Sequence, residues 1–207
     1  MRLLSRFSGL MVVCLSLLAA GPATAATITF EGFGYSRQVT YFHDSPPNET
    51  GFAGEMLLTI DGTPYTGYCV DLDNDAPNTW TASIEPVSVI NGGKAIAWLF
   101  DTFATTVNSD TKGAGLQVAI WEVLDDWGGT LDLSAGNFRL ISPNAVKTQA
   151  QTYLDALPSP AFLATYVPQS FIVFSSAFDQ AQHMITPEPA SIVGLALAAL
   201  ALRRKRR

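Results

Sequence analysis

From Thr27 to Thr66 the apolar and polar positions alternate, or run β-branched, in short stretches: ATITFEGF, RQVTYF and GEMLLTIDG. Glycine and the stretch DSPPNETG separate them, so a period of two with these breaks predicts strands joined by turns. YTGYCVDL continues the pattern, and DNDAPNT after it reads as a polar loop. A strand over residues 65–72 would turn Tyr68, Val70 and Leu72 to one side and Cys69 and Asp71 to the other. The period then changes. GGKAIAWLFDTFA and KGAGLQVAIWEVLDDW have helical spacing, and Leu116, Ala119, Ile120, Val123, Leu124 and Trp127 form one stripe that Gly128-Gly129 ends. SPNAVKTQAQTYLDAL predicts a further helix, with Ser142 as N-cap and Pro143 at the first position. SFIVFSSAF returns to strand. The expectation is an α+β fold, a β-rich body with a helical insertion in one domain; no internal repeat is visible.

Both ends fall outside this pattern. Arg2 and Arg6, an apolar run from Leu10 to Ala20, and Ala23-Thr24-Ala25 have the layout of a signal peptide over residues 1–25. Cys14 would leave with it, and Val13 is too large for the small residue that precedes a lipidated cysteine. At the other end Pro187-Glu188-Pro189 precedes an apolar stretch from Ala190 to Leu202 and five basic residues, Arg203 to Arg207. The basic cluster would hold that end in the cytoplasm and leave the rest of the chain outside. The stretch amounts to roughly 20 Å of helix against a hydrocarbon core of about 30 Å, which suits a transient sorting helix better than a lasting anchor.

That series resembles the PEP-CTERM sorting signal. The resemblance implies an exosortase-type processing enzyme as partner, removal of residues 185–207, and export across the inner membrane to the surface or extracellular matrix of a Gram-negative bacterium. A domain of residues 26–184 remains, long enough for one real core.

Trimming changes the charge. Of the twelve basic residues, seven lie in the removed segments, while of the eighteen acids Glu188 alone does, so five basic residues face seventeen acids, a net charge near −12. Such a chain repels nucleic acid and anionic lipid, which excludes binding to either through a basic patch; contact with membrane is expected only through the signal peptide and the tail.

Several chemistries lack their parts. There is no G-x-S-x-G, and His43 and His183 are the only imidazoles, too few for a hydrolase or a zinc site. Asp71, Asp73 and Asp75 fill positions 1, 3 and 5 of an EF-hand loop, but Ala76 and Ala82 stand where Gly and a bidentate Glu are required. No metal or cofactor is implied, and the NET sequon at 48–50 carries no information in a bacterial chain. Cys69 remains. Its ordinary reading is a small buried hydrophobe, yet an unpaired thiol outside the cell meets oxidants and other thiols. Gln117, about 100° round the helix from Leu116, would ordinarily be a solvated flank residue, and Trp121 a buried aromatic.

YCVDL at 68–72 and LQVAIW at 116–121 together resemble the paired signatures of thioester domains in bacterial surface adhesins, over roughly residues 60 to 130. The resemblance implies an internal thioester between the Cys69 sulfur and the Gln117 side-chain carbon. Those domains are best known from Gram-positive adhesins, so a host-binding role is not implied by it. The chemistry asks for these groups: a thiol is a strong nucleophile once ionised, whereas an amide is a poor electrophile. Close approach, polarisation of the Gln117 carbonyl and a proton for departing ammonia are all needed. Tyr68 and Trp121 would shield the bond or fill the core; Asp71 would take the thiol proton or position a donor, although its charge also disfavours a neighbouring thiolate. The product would be a single-turnover acyl donor, not an enzyme, that attaches to an amine or hydroxyl on a surface, matrix or polysaccharide target. The competing class is an unreactive matrix protein with a buried cysteine.

Overall fold

The computed structural model describes residues 25–174 and 184–187. Its strands are β1 (Ala26–His43), β2 (Ser45–Ile60), β3 (Thr63–Cys69), β4 (Thr79–Glu85), β5 (Phe138–Ser142), β6 (Ser170–Phe174) and β7 (Met184–Pro187). Helices α1 (Gly93–Phe103), α2 (Asp110–Asp126), α3 (Asn144–Asp155) and α4 (Pro160–Thr165), together with β5, lie between β4 and β6 in sequence. This is the α+β, β-rich fold with a helical insertion, and α2 carries the Gln-x-Ala-apolar-Trp segment.

Every strand pairing is antiparallel, in the order β2-β3-β7-β6-β4-β1-β5. Because β1 also pairs with β2, six of the strands return on themselves as a closed ring, and β5 attaches to the far end of β1. Closure removes the unpaired edges that an open sheet would expose. Two turns set the register of the long first strands. Asp44 turns β1 into β2 at φ 53°, and Asp61-Gly62, at φ 48° and 78°, joins β2 to β3 with Ile60 opposite Thr63. Asp-Gly with both residues at positive φ is the pattern of a two-residue hairpin turn.

Some boundaries differ from expectation. Residues 45–51, read as a break, form the outer part of β2, with Glu49, Thr50 and Gly51 paired to Tyr41, Thr40 and Val39. Their exposed side chains hide a backbone that pairs with β1 at Ser45 and from Glu49 to Gly51, with an irregularity between; both prolines sit in that gap near the start of the strand, where a missing N–H is tolerated. β3 ends at Cys69, so Val70 to Leu72 are outside the ladder. Ser142 closes β5 and Pro143 takes the N-cap position of α3, one residue later than the spacing suggested. β4, β5, α4 and β7 carry no strong periodic signal of their own. β7 joins β3 to β6 with Met184, Ile185 and Thr186 buried, so the sheet extends past residue 184 into the segment read as tail.

α2 is buried from Gly113 to Val123, packed on α1, α3, β1 and β2. Encasement on all sides explains why its apolar stripe is less informative than an amphipathic helix's would be, and why Gln117 is interior and not a flank residue. Among the described residues no helix is long and apolar enough to cross a membrane; the segments 1–25 and 185–207 lie outside them, apart from Ala25 and Ile185 to Pro187.

Candidate functional site

Cys69 is the last residue of β3, and two neighbours treat it differently. On one side β7 places Met184 opposite it. On the other side the β2 ladder stops at Met56 opposite Gly67, two residues earlier. The Gln117 carboxamide takes up the backbone there: Cys69 N–H donates to Gln117 Oε1 at 2.9 Å, and Gln117 Nε2 donates to the Cys69 carbonyl at 2.7 Å. One side-chain amide thus stands where the peptide of a neighbouring strand would be, and it satisfies a donor and an acceptor that burial would otherwise leave costly. Cys69 and Gln117 are 3% and 1% exposed.

The position of α2 makes this reach possible. Ser109 caps the helix by accepting from Lys112 N–H, and Gly113 lies against β1 so closely that a Cβ there would collide with the Tyr35 backbone carbonyl. Gln117 is one turn beyond Gly113 and Trp121 one turn beyond Gln117, so all three share a helix face.

The sulfur is held by the chain that follows it. Cys69 Sγ donates to the Asp71 carbonyl at 2.7 Å, and Asp71 N–H points back to Sγ at 3.3 Å. Burial pushes the thiol up to about 12; the Asp71 backbone and the nearby Trp121 indole lower it and the Asp71 charge raises it, without offsetting burial. The indole N–H itself finds no acceptor with good hydrogen-bond geometry, so its influence on the sulfur is one of proximity.

Asp71 therefore meets Cys69 through its backbone. Its carboxylate accepts from Asp73 N–H, Asn74 N–H and the Asn74 side chain, at 3.0 to 3.3 Å, and builds the loop after β3. Trp121 packs its ring 5.4 Å from Tyr41 and 6.0 Å from Phe138. Tyr68 points elsewhere: its ring meets Phe100 of α1 edge-on at 5.9 Å, and it does not line the space around Cys69. Strand alternation turns it to the face opposite Cys69, where it fills the core.

A cavity of about 650 Å³ reaches Cys69, Asp71, Gln117 and Trp121. Residues not anticipated from sequence form its remaining walls. Phe30, Phe33 and Tyr41 come from β1, and Glu49 and Phe52 from β2; Asp73 and Asp75 come from the loop after β3. Tyr41 O–H donates to Glu49 at 3.2 Å. Among the described residues no Lys, Arg or His lines the cavity. Among the described residues no three His, Cys, Asp or Glu side chains are grouped as a metal would require.

Behind Trp121, Glu122 is fully buried, and neither of its oxygens makes a hydrogen bond of good geometry. Burial, then the neighbouring Asp126 charge, push its carboxyl up to about 8, opposed only in part by the Asp132 backbone. Of the sorting motif, Pro187 is the exposed end of β7 opposite Ser170, while Glu188 and Pro189 lie outside the described residues.

The arrangement puts an amide carbonyl, already accepting a backbone N–H, against the residue that carries the thiol. A donor aimed at the carbonyl oxygen is what attack on the amide carbon requires. No protein-family model, curated protein or solved structure matches this chain.

Proposed function

We propose that this is an exported surface or matrix protein whose Cys69 and Gln117 form an internal thioester that attaches covalently to a partner. One observation carries the reading: the buried Gln117 carboxamide is clamped by both backbone groups of Cys69, at the inner end of an open cavity. In the proposed step Cys69 Sγ adds to Gln117 Cδ, the C–N bond breaks, and ammonia leaves with the thiol proton. A partner amine then attacks the same carbon, the C–S bond breaks, and the sulfur recovers a proton from the amine. Cys69 N–H supports both steps by polarising the carbonyl. Attachment would follow trimming of residues 1–25 and exosortase processing at Pro187-Glu188-Pro189.

Mass spectrometry of the purified protein tests it. The linked protein weighs one ammonia less than its sequence, and methylamine adds its full mass at Gln117 while exposing the thiol. Full sequence mass before any amine treatment would refute the thioester.

The second reading, an unreactive matrix protein, is favoured by the thiol's high pKa and by its bond to the Asp71 carbonyl, which together make an unlinked Cys69 inert. The same mass measurement separates the two.

A further inference from the structure

The cavity has features that the Cys69–Gln117 pair does not need. Phe33 and Phe52 are 41% and 53% exposed, and their rings stack at 5.2 Å with a 27° interplanar angle. Phe30 braces Phe33 edge-on at 5.1 Å. Paired aromatic rings left in water on a strand surface are costly unless something covers them. Facing the same space are the exposed carboxylates Glu49, Asp73 and Asp75, with no basic residue to neutralise them there. Deeper in, Trp121 closes the cavity beside the Cys69 sulfur.

We propose that this cavity binds an amino sugar, a pyranose with a free amine within a de-N-acetylated polysaccharide chain. Each feature selects part of that ligand. The flat Phe33–Phe52 pair fits the apolar C–H face of a sugar ring, and its π-face also attracts an ammonium. Glu49, Asp73 and Asp75 accept charge-assisted hydrogen bonds from an ammonium and ordinary ones from hydroxyls. They repel uronates and phosphorylated sugars. A cavity of about 650 Å³ lies within the range of small-ligand sites and gives a pyranose ring room that a lone lysine side chain does not need. Binding of the sugar stands on these walls alone. Its covalent capture rests on the thioester reading: one of these carboxylates takes the ammonium proton, the sugar nitrogen attacks Gln117 Cδ, the C–S bond breaks, and Cys69 Sγ takes the second amine proton as the amide forms.

Calorimetric titration of the Cys69→Ala protein tests binding apart from the thioester. The probes are the β-1,4-linked glucosamine tetrasaccharide, its fully N-acetylated counterpart, and Nα-acetyl-lysine methylamide. The glucosamine tetrasaccharide is expected to bind at least ten-fold tighter than either of the others. Adding Phe52→Ala, at an exposed position, should weaken it at least five-fold. Equal affinity for the N-acetylated sugar, equal affinity for the lysine derivative, or indifference to Phe52→Ala would each overturn the proposal. In the wild-type protein, a methylamine adduct at Gln117 without a tetrasaccharide adduct would sustain the thioester and overturn the amino sugar. Tight tetrasaccharide binding by a protein that shows no mass deficit would do the reverse.

Discussion

Gln117 holds Cys69 by its backbone, through one accepted and one donated hydrogen bond, and leaves the sulfur to Asp71. The glutamine therefore has a structural role of its own. Replacing it by alanine strands a buried N–H and a buried carbonyl, each worth about 1–3 kcal/mol when unpaired. In a Cys69→Ala background, where no covalent link can form, Gln117→Ala should cost roughly 2–4 kcal/mol in urea denaturation. Cys69→Ala itself removes one small buried atom and should cost about 1 kcal/mol before any effect of losing the link.

Thiol labelling should depend on history as well as on folding. An unlinked Cys69, buried and with its pKa near 12, should alkylate very slowly in the native state even after methylamine has opened the thioester. In denaturant at neutral pH, methylamine-treated protein should label fully within minutes. A chain that labels fully in denaturant without amine exposure would have carried an ordinary thiol.

Glu122 should make stability depend on pH. Its folded-state carboxyl is raised from 4.5 to about 8, so the folded chain holds a proton that the unfolded chain releases. Its contribution to stability is fully present below pH about 4.5 and falls as pH rises towards about 8, by a few kcal/mol. Glu122→Gln should flatten urea midpoints across that window and exceed the wild type at its upper end.

Gly113→Ala should disturb the site from a distance. The added methyl meets the Tyr35 backbone, which cannot rotate away, so α2 must shift on β1. A loss of about 1–3 kcal/mol is expected, with amine reactivity at Gln117 falling at least ten-fold because the clamp on Cys69 moves with the helix. Retained reactivity at wild-type rate would show that the contact is slack.

A chain ending at Pro187 should keep its thermal transition, whereas one ending at His183 should lose it. The shorter chain lacks β7 and leaves β3 and β6 unpaired on facing sides.

The legible parts of this molecule are those with a local period. The two-residue alternation before Thr66 and the three-to-four spacing around Leu116 to Val123 correspond to strands and to α2. Cys69 and Gln117 stood out by residue type and context, and they are adjacent in space. What was not legible depends on long-range pairing. Nothing in RQVTYF distinguishes Tyr41 as the ring beside Trp121, and nothing in MITP marks a barrel strand, because four residues carry too little pattern. The place of Asp71 was hidden for a related reason: β3 stops at Cys69, two residues before it, and its carboxylate accepts from Asp73 and Asn74 in the loop that follows.

β7 follows every other described strand in sequence, yet it is the one that flanks Cys69. The ring cannot close until this segment has left the ribosome and paired across nearly the whole domain, a late and slow event for so non-local a contact. Until then the cysteine lacks one of the two neighbours that fix its backbone. Synthesis order thereby acts as a timer: a half-made chain carries the ingredients of the site without its assembly, and competence arrives only with the complete domain.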